Sequence, residues 1–167
     1  MRISPTLPLP GQMPPPLPHR PLAMMSFPKI KLIAVGKVKK DWIRQGIALY
    51  AKRLPELEVI ELKDSTPEKE GLQLLSLVKN SDRLVALMEE GQTYSSPQFA
   101  HLMGQAASNQ LVFVIGSAEG LSAAVKQAAR DRLSLSPMTF PHEVARLLLI
   151  EQLYRAKTIL QGSSYHK

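Results

Sequence analysis

The run from Leu111 to Leu160 constrains this chain more than any other. Leu111 to Ile115 (LVFVI) is continuously apolar and is closed by Gly116, the pattern of a parallel strand covered on both faces. A glycine turn follows (Gly116-Ser117-Ala118-Glu119-Gly120), then a short helix capped by Ser122, a strand at Leu133 to Leu135, and a Ser-Pro-Met-Thr-Phe-Pro connection. A long helix opens at Pro141 and is ended by Gly162. In open α/β sheets, ligands bind beyond the carboxyl ends of the strands. Gly116 to Gly120 and Leu135 to Phe140 are therefore expected side by side at one such edge.

The preceding chain repeats the alternation. Lys29 to Val35 reads as a strand before Gly36, and Asp41 is placed to cap a helix through about Leu54. Leu57 to Leu62 is a second strand, Pro67 opens a helix to about Asn80, and Arg83 to Met88 is a third strand. Ser96-Pro97 opens a further helix to about Ser108. Five strand-helix units predict an α/β fold with a parallel, doubly wound sheet. Residues 26–167 form one domain on this reading. Residues 1–25 hold eight of the 14 prolines and no acidic residue, which suits neither helix nor internal strand. They are expected to be a disordered leader, with Met24 or Met25 as an alternative start.

The long helix lacks a wholly polar face. Ala145, Leu149, Leu153, Ala156 and Leu160 make one apolar stripe; Leu147, Ile150 and Tyr154 make a second; Val144, Leu148 and Ile159 make a third. One sheet covers one stripe. A second copy in a two-fold homodimer would cover the others, and so would a deeper core within the chain.

Charge narrows the partner. The net charge is +7, and from Lys29 onward 19 basic residues face 14 acidic ones, a balance that suits a polyanion such as RNA. Arg146 and Lys157 on the long helix could meet phosphate. Arg155, four residues after Glu151, could do the same or form a helix ion pair. Tyr165-His166-Lys167 joins a stacking ring, a titratable imidazole and a cation, types that suit an RNA base and its backbone, although terminal residues also fray. There is no cysteine, which excludes disulfides, thiol nucleophiles and thiolate metal sites and fits a reducing cytoplasm. The four histidines form no HExxH pattern, so no metal is expected. Proline interrupts every apolar run of the leader, and no membrane segment is expected.

Neither GxGxxG nor GxxxxGK[ST] occurs, which disfavours a dinucleotide-dependent oxidoreductase or a P-loop enzyme. The two loops named above remain the candidates for chemistry. Glycines at 116 and 120 let backbone approach a ligand closely, as they would in a plain strand-to-helix turn. Met138 and Phe140 either flank a flat heterocycle held by Pro137 and Pro141 or plug the core.

VFVIGSAEGLS, then LSLSPMTFPHEVARLLLIEQLYRA, then the closing YHK resemble the RlmH family of the SPOUT superfamily. The likeness runs from about Lys29 to the end and takes in Val35-Gly36-Lys37. Leu87 and Gly91 stand in the place of the family's LDxxGK motif. The resemblance implies transfer of a methyl group from S-adenosyl-L-methionine to ring N3 of a pseudouridine in bacterial 23S ribosomal RNA, by a homodimer whose C-terminal chain threads a trefoil knot. It carries the cofactor positions to Leu87, Gly116, Leu135, Ser136, Pro137, Met138, Thr139 and Phe140. It makes Tyr165 and His166 the tail residues placed for substrate or catalysis, with His142 an alternative histidine, and it gives Arg146, Arg155 and Lys167 an RNA to bind. Met88, Gln92, Ser117 and Ser163-Ser164 depart from the family pattern. A fold that had lost cofactor affinity would be an RNA- or ribosome-binding module instead.

Overall fold

A computed structural model describes residues 25–166. The leader up to residue 24 and the cation expected of Lys167 lie outside these residues.

Five strands, β1 (Ile30–Val35), β2 (Leu57–Leu62), β3 (Arg83–Gln92), β4 (Leu111–Ile115) and β5 (Asp131–Leu133), form one sheet in the order β2-β1-β4-β3-β5. All four pairings are parallel, with Ile30 opposite both Leu57 and Leu111 and Val85 opposite both Phe113 and Asp131. The helices are α1 (Asp41–Ala51), α2 (Pro67–Ser76), α3 (Ser96–Gln105), α4 (Ala123–Ala128) and α5 (His142–Leu160), followed by a 3-10 turn over Ser164–His166.

Side chains alternate across a strand, so a sheet covered on both faces needs two cores. Ile30, Leu32, Ala34, Val85, Phe113 and Ile115 turn one way, against Phe99 and Met103 of α3 and Leu149, Ile150 and Leu153 of α5. Ile33, Val35, Ala86, Val112 and Val114 turn the other way, against Leu74 of α2 and Val125 of α4. The doubly wound expectation holds. All five residues of β4 are buried because it is the central strand.

Several boundaries differ from the sequence reading. β3 runs four residues past Met88, with a register shift between Leu87 and Gln92 where it pairs with β5. This arch explains Gly91: a Cβ there would stand 2.6 Å from the backbone carbon of Leu133. β5 is Asp131–Leu133, two residues early, because Arg83 pairs with the buried Asp131 carboxylate and lets a charged residue enter the sheet. Asp41 does not cap α1; Lys40 occupies the cap, and Asp41 pairs with Arg44 instead. α2 ends at Ser76 and is capped by Thr66. α3 starts from a capping box between Ser95 and Gln98.

α5 lies between α1 and α3 over the sheet. The stripe from Ala145 to Leu160 is buried throughout, and Ile150 is fully covered. Leu147 reaches Gly46 of α1, where an added Cβ would lie 3.1 Å from it. Much of the cover expected from a second copy therefore comes from the chain itself, although Leu148 stays exposed.

Candidate active site

The carboxyl ends of β3, β4 and β5 open onto a cavity of about 740 Å³. Leu87 and Met88 line it from β3, Ile115 from β4 and Gly116 from the turn that follows, and Leu135, Ser136, Met138, Thr139 and Phe140 from the connection to α5. Of the eight positions expected to hold a cofactor, seven are brought together here; Pro137 is not part of the lining. His142 and Ala145 of the first turns of α5 close one side.

Gly116 is required by its own loop. A Cβ at 116 would lie 2.7 Å from the carbonyl carbon of Gly120 and 2.9 Å from the Leu121 nitrogen. The Gly120 amide returns to the Ser117 carbonyl at 2.9 Å, and Gly120 takes a positive φ of 82°. The tight turn thus presents backbone to the cavity. Ser117 is anchored sideways: its hydroxyl donates to Glu70 Oε2 at 3.2 Å, while Glu70 Oε1 accepts from the Ser65 amide at 2.8 Å. Glu70 is buried and ties the loop after β4 to the loop after β2.

The proline-flanked connection is ordered by its serines. Ser134 Oγ donates to the Ser136 carbonyl at 2.9 Å, and Ser136 Oγ accepts from the Met138 amide at 3.1 Å. Met138 is 72% exposed, so it is no core plug. Phe140 is half-buried in the wall.

Sequence reasoning missed the acidic side of this cavity. Glu89 and Glu90 from the β3 arch and Glu119 from the glycine loop line it, with Lys126 of α4 the one lining cation among the described residues. The adjacent Glu89 and Glu90 were the available signal. Among the described residues, no group of His, Cys, Asp and Glu is placed to hold a metal ion.

The expected RNA cations on α5 are not free. Arg146 is 2% exposed; its Nη1 donates to Glu61 Oε2 at 2.6 Å and its Nη2 to the Gly36 carbonyl at 2.7 Å. It holds the end of β1 and cannot present its charge to phosphate. Lys157 pairs with Glu56 at 2.8 Å. Arg155 donates to Glu151 Oε1 from Nε and Nη2, which raises its pKa further, and its guanidinium covers the Tyr165 ring at 4.9 Å.

The tail is docked rather than frayed. The Tyr165 ring meets Tyr154 edge to face at 4.8 Å, and its hydroxyl reaches Tyr50 and Glu151. The Tyr50 hydrogen bond, burial and the Glu151 charge all push the Tyr165 pKa upward, so its hydroxyl stays protonated and acts as a donor. His166 Nδ1 lies 3.3 Å from Arg155 Nη1. Arg155 is ten residues beyond Ala145, about 15 Å along the helix axis at 1.5 Å per residue. Tyr165 and His166 therefore stand well away from the cavity of their own chain.

A parallel five-stranded sheet with a backbone-lined cavity beyond β3, β4 and β5 is an arrangement that fits a group-transfer enzyme. A family model described as predicted SPOUT methyltransferase matches residues 28–166, and the chain belongs to that family of methyltransferases. The similar proteins are more particular. Ribosomal RNA large subunit methyltransferase H of Parasynechococcus marenigrum (strain WH8102) is 52% identical over 143 residues, covering 86% of this chain and 99% of that protein. The protein of the same name from Synechococcus sp. (strain RCC307) is 52% identical over 146 residues, covering 87% and 99%. That of Prochlorococcus marinus (strain NATL2A) is 51% identical over 144 residues, covering 86% and 99%.

Proposed function

We propose that the chain methylates ribosomal RNA of the large subunit, using S-adenosyl-L-methionine to place a methyl group on ring N3 of a pseudouridine. The cavity beyond β3, β4 and β5 carries this reading, together with relatives about half identical over nearly their whole length. The cavity suits the cofactor in three respects. Its volume falls within the usual range for small-molecule sites, roughly 300 to 1,000 Å³. Leu87, Met138 and Phe140 offer apolar surface for a heterocycle, and the turn at Gly116 offers backbone. Glu89, Glu90 and Glu119 provide negative charge for the sulfonium and ammonium.

When bound, the cofactor supplies an electrophilic methyl group on sulfur. The chain's residues supply position. The Gly116 turn and the Ser134 to Met138 connection are fixed by their own hydrogen bonds, which holds the reacting groups without further ordering cost. The base nitrogen must lose a proton, and His142 in the cavity wall is the histidine of this chain placed to take it. Tyr165 and His166 act at the same cavity only if they come from a second copy. A homodimer is part of this proposal, supported by exposed Trp42 and Leu49 on α1 and Leu148 on α5. The trefoil knot is part of it too, supported by membership of the SPOUT methyltransferase family. Among the described residues, no helix is long and apolar enough to cross a membrane, in keeping with a ribosomal substrate in the cytoplasm.

Calorimetric titration with S-adenosyl-L-methionine, followed by transfer of labelled methyl to ribosomes, tests the reading. Saturable heat and one methyl per large subunit are expected. Absence of both would reduce the protein to an RNA-binding module.

A further inference from the structure

With Arg146, Arg155 and Lys157 engaged by carboxylates, the RNA backbone needs other cations. The sheet edge that carries the cavity has one dense set. Lys37, Lys39 and Lys40 lie in the loop between β1 and α1, are exposed, and form no ion pair among the described residues.

This loop is pinned along its length. The Gly36 carbonyl accepts from Arg146, and the Val38 amide donates to Glu61 Oε2 at 3.3 Å. The Val38 carbonyl accepts from Arg44 at 3.0 Å, and the Lys39 and Lys40 amides donate to Glu143 Oε2 at 3.1 and 3.2 Å. Every anchor is backbone, so the three ammonium groups remain outside. Burial works against the Glu143 charge, but the Lys40 and Lys39 amides and the neighbouring His142 and Lys40 charges outweigh it and lower its pKa.

The loop also adjoins the cavity. A Cβ at Gly36 would lie 3.5 Å from Nε2 of His142, which lines the cavity wall. The opposite rim is acidic, from Glu89, Glu90 and Glu119, and repels phosphate. On the β1–α1 side the Asp64 carboxylate also stands at Gly36, 3.2 Å from the same Cβ position, and the three exposed lysines of the loop are the groups there that a polyanion would meet.

We infer that the substrate RNA crosses the β1–α1 loop, with Lys37, Lys39 and Lys40 meeting successive phosphates while its target base enters beside His142. The inference rests on the proposed function and names the RNA-contacting surface of that site. Arg146 and Glu143 act through the loop as positioning residues and touch no RNA.

The test compares two triple variants of the full chain that lose equal charge. In one, Lys37, Lys39 and Lys40 become Gln; in the other, Lys29, Lys52 and Lys79, exposed at the opposite edge of the sheet, become Gln. The probes are a fluorescein-labelled single-stranded RNA for the salt dependence of binding, ribosomes for KM, and S-adenosyl-L-methionine for calorimetry. Each phosphate contact on a single strand contributes about 0.7 to the slope of log K against log salt, so the loop variant should lose about 2 from that slope. Its KM for ribosomes should rise at least about tenfold on the same counterion-release argument, with kcat and cofactor affinity unchanged. The opposite-edge variant should keep the original slope and KM. Equal losses in both variants, or none in the loop variant, would overturn the inference. An unaltered protein that bound no cofactor would overturn the proposed function, and the RNA slopes would still decide the loop.

Discussion

The Tyr165 hydroxyl donates to Glu151 Oε1 across 3.2 Å, so the last described turn of the chain is tied to the middle of its longest helix. Glu151 is shared, since Arg155 donates to the same oxygen at 2.8 Å. Replacing Tyr165 by Ala removes the ring from between Tyr154 and Arg155 but leaves the distant cavity intact. Cofactor affinity should hold within a few-fold by calorimetry. Methylation of ribosomes should fall at least about tenfold, equivalent to roughly 1.4 kcal/mol at the transition state.

Gly116 and Gly120 separate two kinds of glycine requirement. Gly116→Ala drives a methyl into the Gly120 and Leu121 backbone, so the turn must rearrange and cofactor binding should be lost. Gly120→Ala meets open space and only a strained φ, costing about 1 to 2 kcal/mol. Calorimetry of the two variants should show no heat for the first and weakened binding for the second.

Arg146→Met should destabilise the fold and, by releasing the Gly36 end of the β1–α1 loop, weaken RNA binding although Arg146 itself touches no RNA. It strands the Gly36 carbonyl and the Glu61 carboxylate. Because Glu61 is 40% exposed, the expected loss in urea unfolding is about 2 to 4 kcal/mol, at or below the range for fully buried pairs.

His101 gives the fold an acid limit. It is 2% exposed, its Nε2 has no partner among the described residues, and burial lowers its pKa from 6.5. As pH falls below about 6.5, the unfolded chain takes up this proton before the folded one does. Stability is thus full above that pH and is lost progressively below it. Melting temperatures recorded from about pH 7 to 5.5 should decline, and His101→Gln should flatten the decline in that window.

Residues 1–24 should be dispensable, whereas Met25 should not. Met25 packs on the core, and a Cβ at Gly104 would stand 2.7 Å from its side chain. A chain starting at Met25 should melt and methylate like the whole. One starting after Phe27, which also packs on the core, should melt several degrees lower, since about 1 kcal/mol shifts Tm by 2 to 8 °C in domains of this size.

The strands were legible where burial on both faces leaves a continuous apolar run, as in β4. They were not where a charge is paired inside the sheet: Asp131 reads as the end of the short helix after Ser122 until Arg83, 48 positions earlier, is placed beside it in β5. Arg146 misled for the same reason, since its partners Gly36 and Glu61 lie 110 and 85 positions away. The cavity loops were legible because glycine and proline mark chain direction locally. Lys37, Lys39 and Lys40 were visible as charges, but their place beside His142 depends on β1 and α5 meeting across the whole chain.

The strand order has a temporal side. β3 finds its hydrogen-bonded neighbours only in β4 and β5, both synthesised after it, and β1 reaches β3 only through β4. At about 5 to 20 residues per second, translation takes roughly one to four seconds to cover the gap from Gln92 to Leu111. Leu84, Val85 and Ala86 therefore emerge from the exit tunnel ahead of β4 by about that interval, as an unpaired apolar edge of the kind that chaperones bind. Slow codons decoded while the segment from Thr93 to Gln110 is itself emerging would lengthen this exposure, so the yield of folded protein should depend on translation speed in that later stretch of the message.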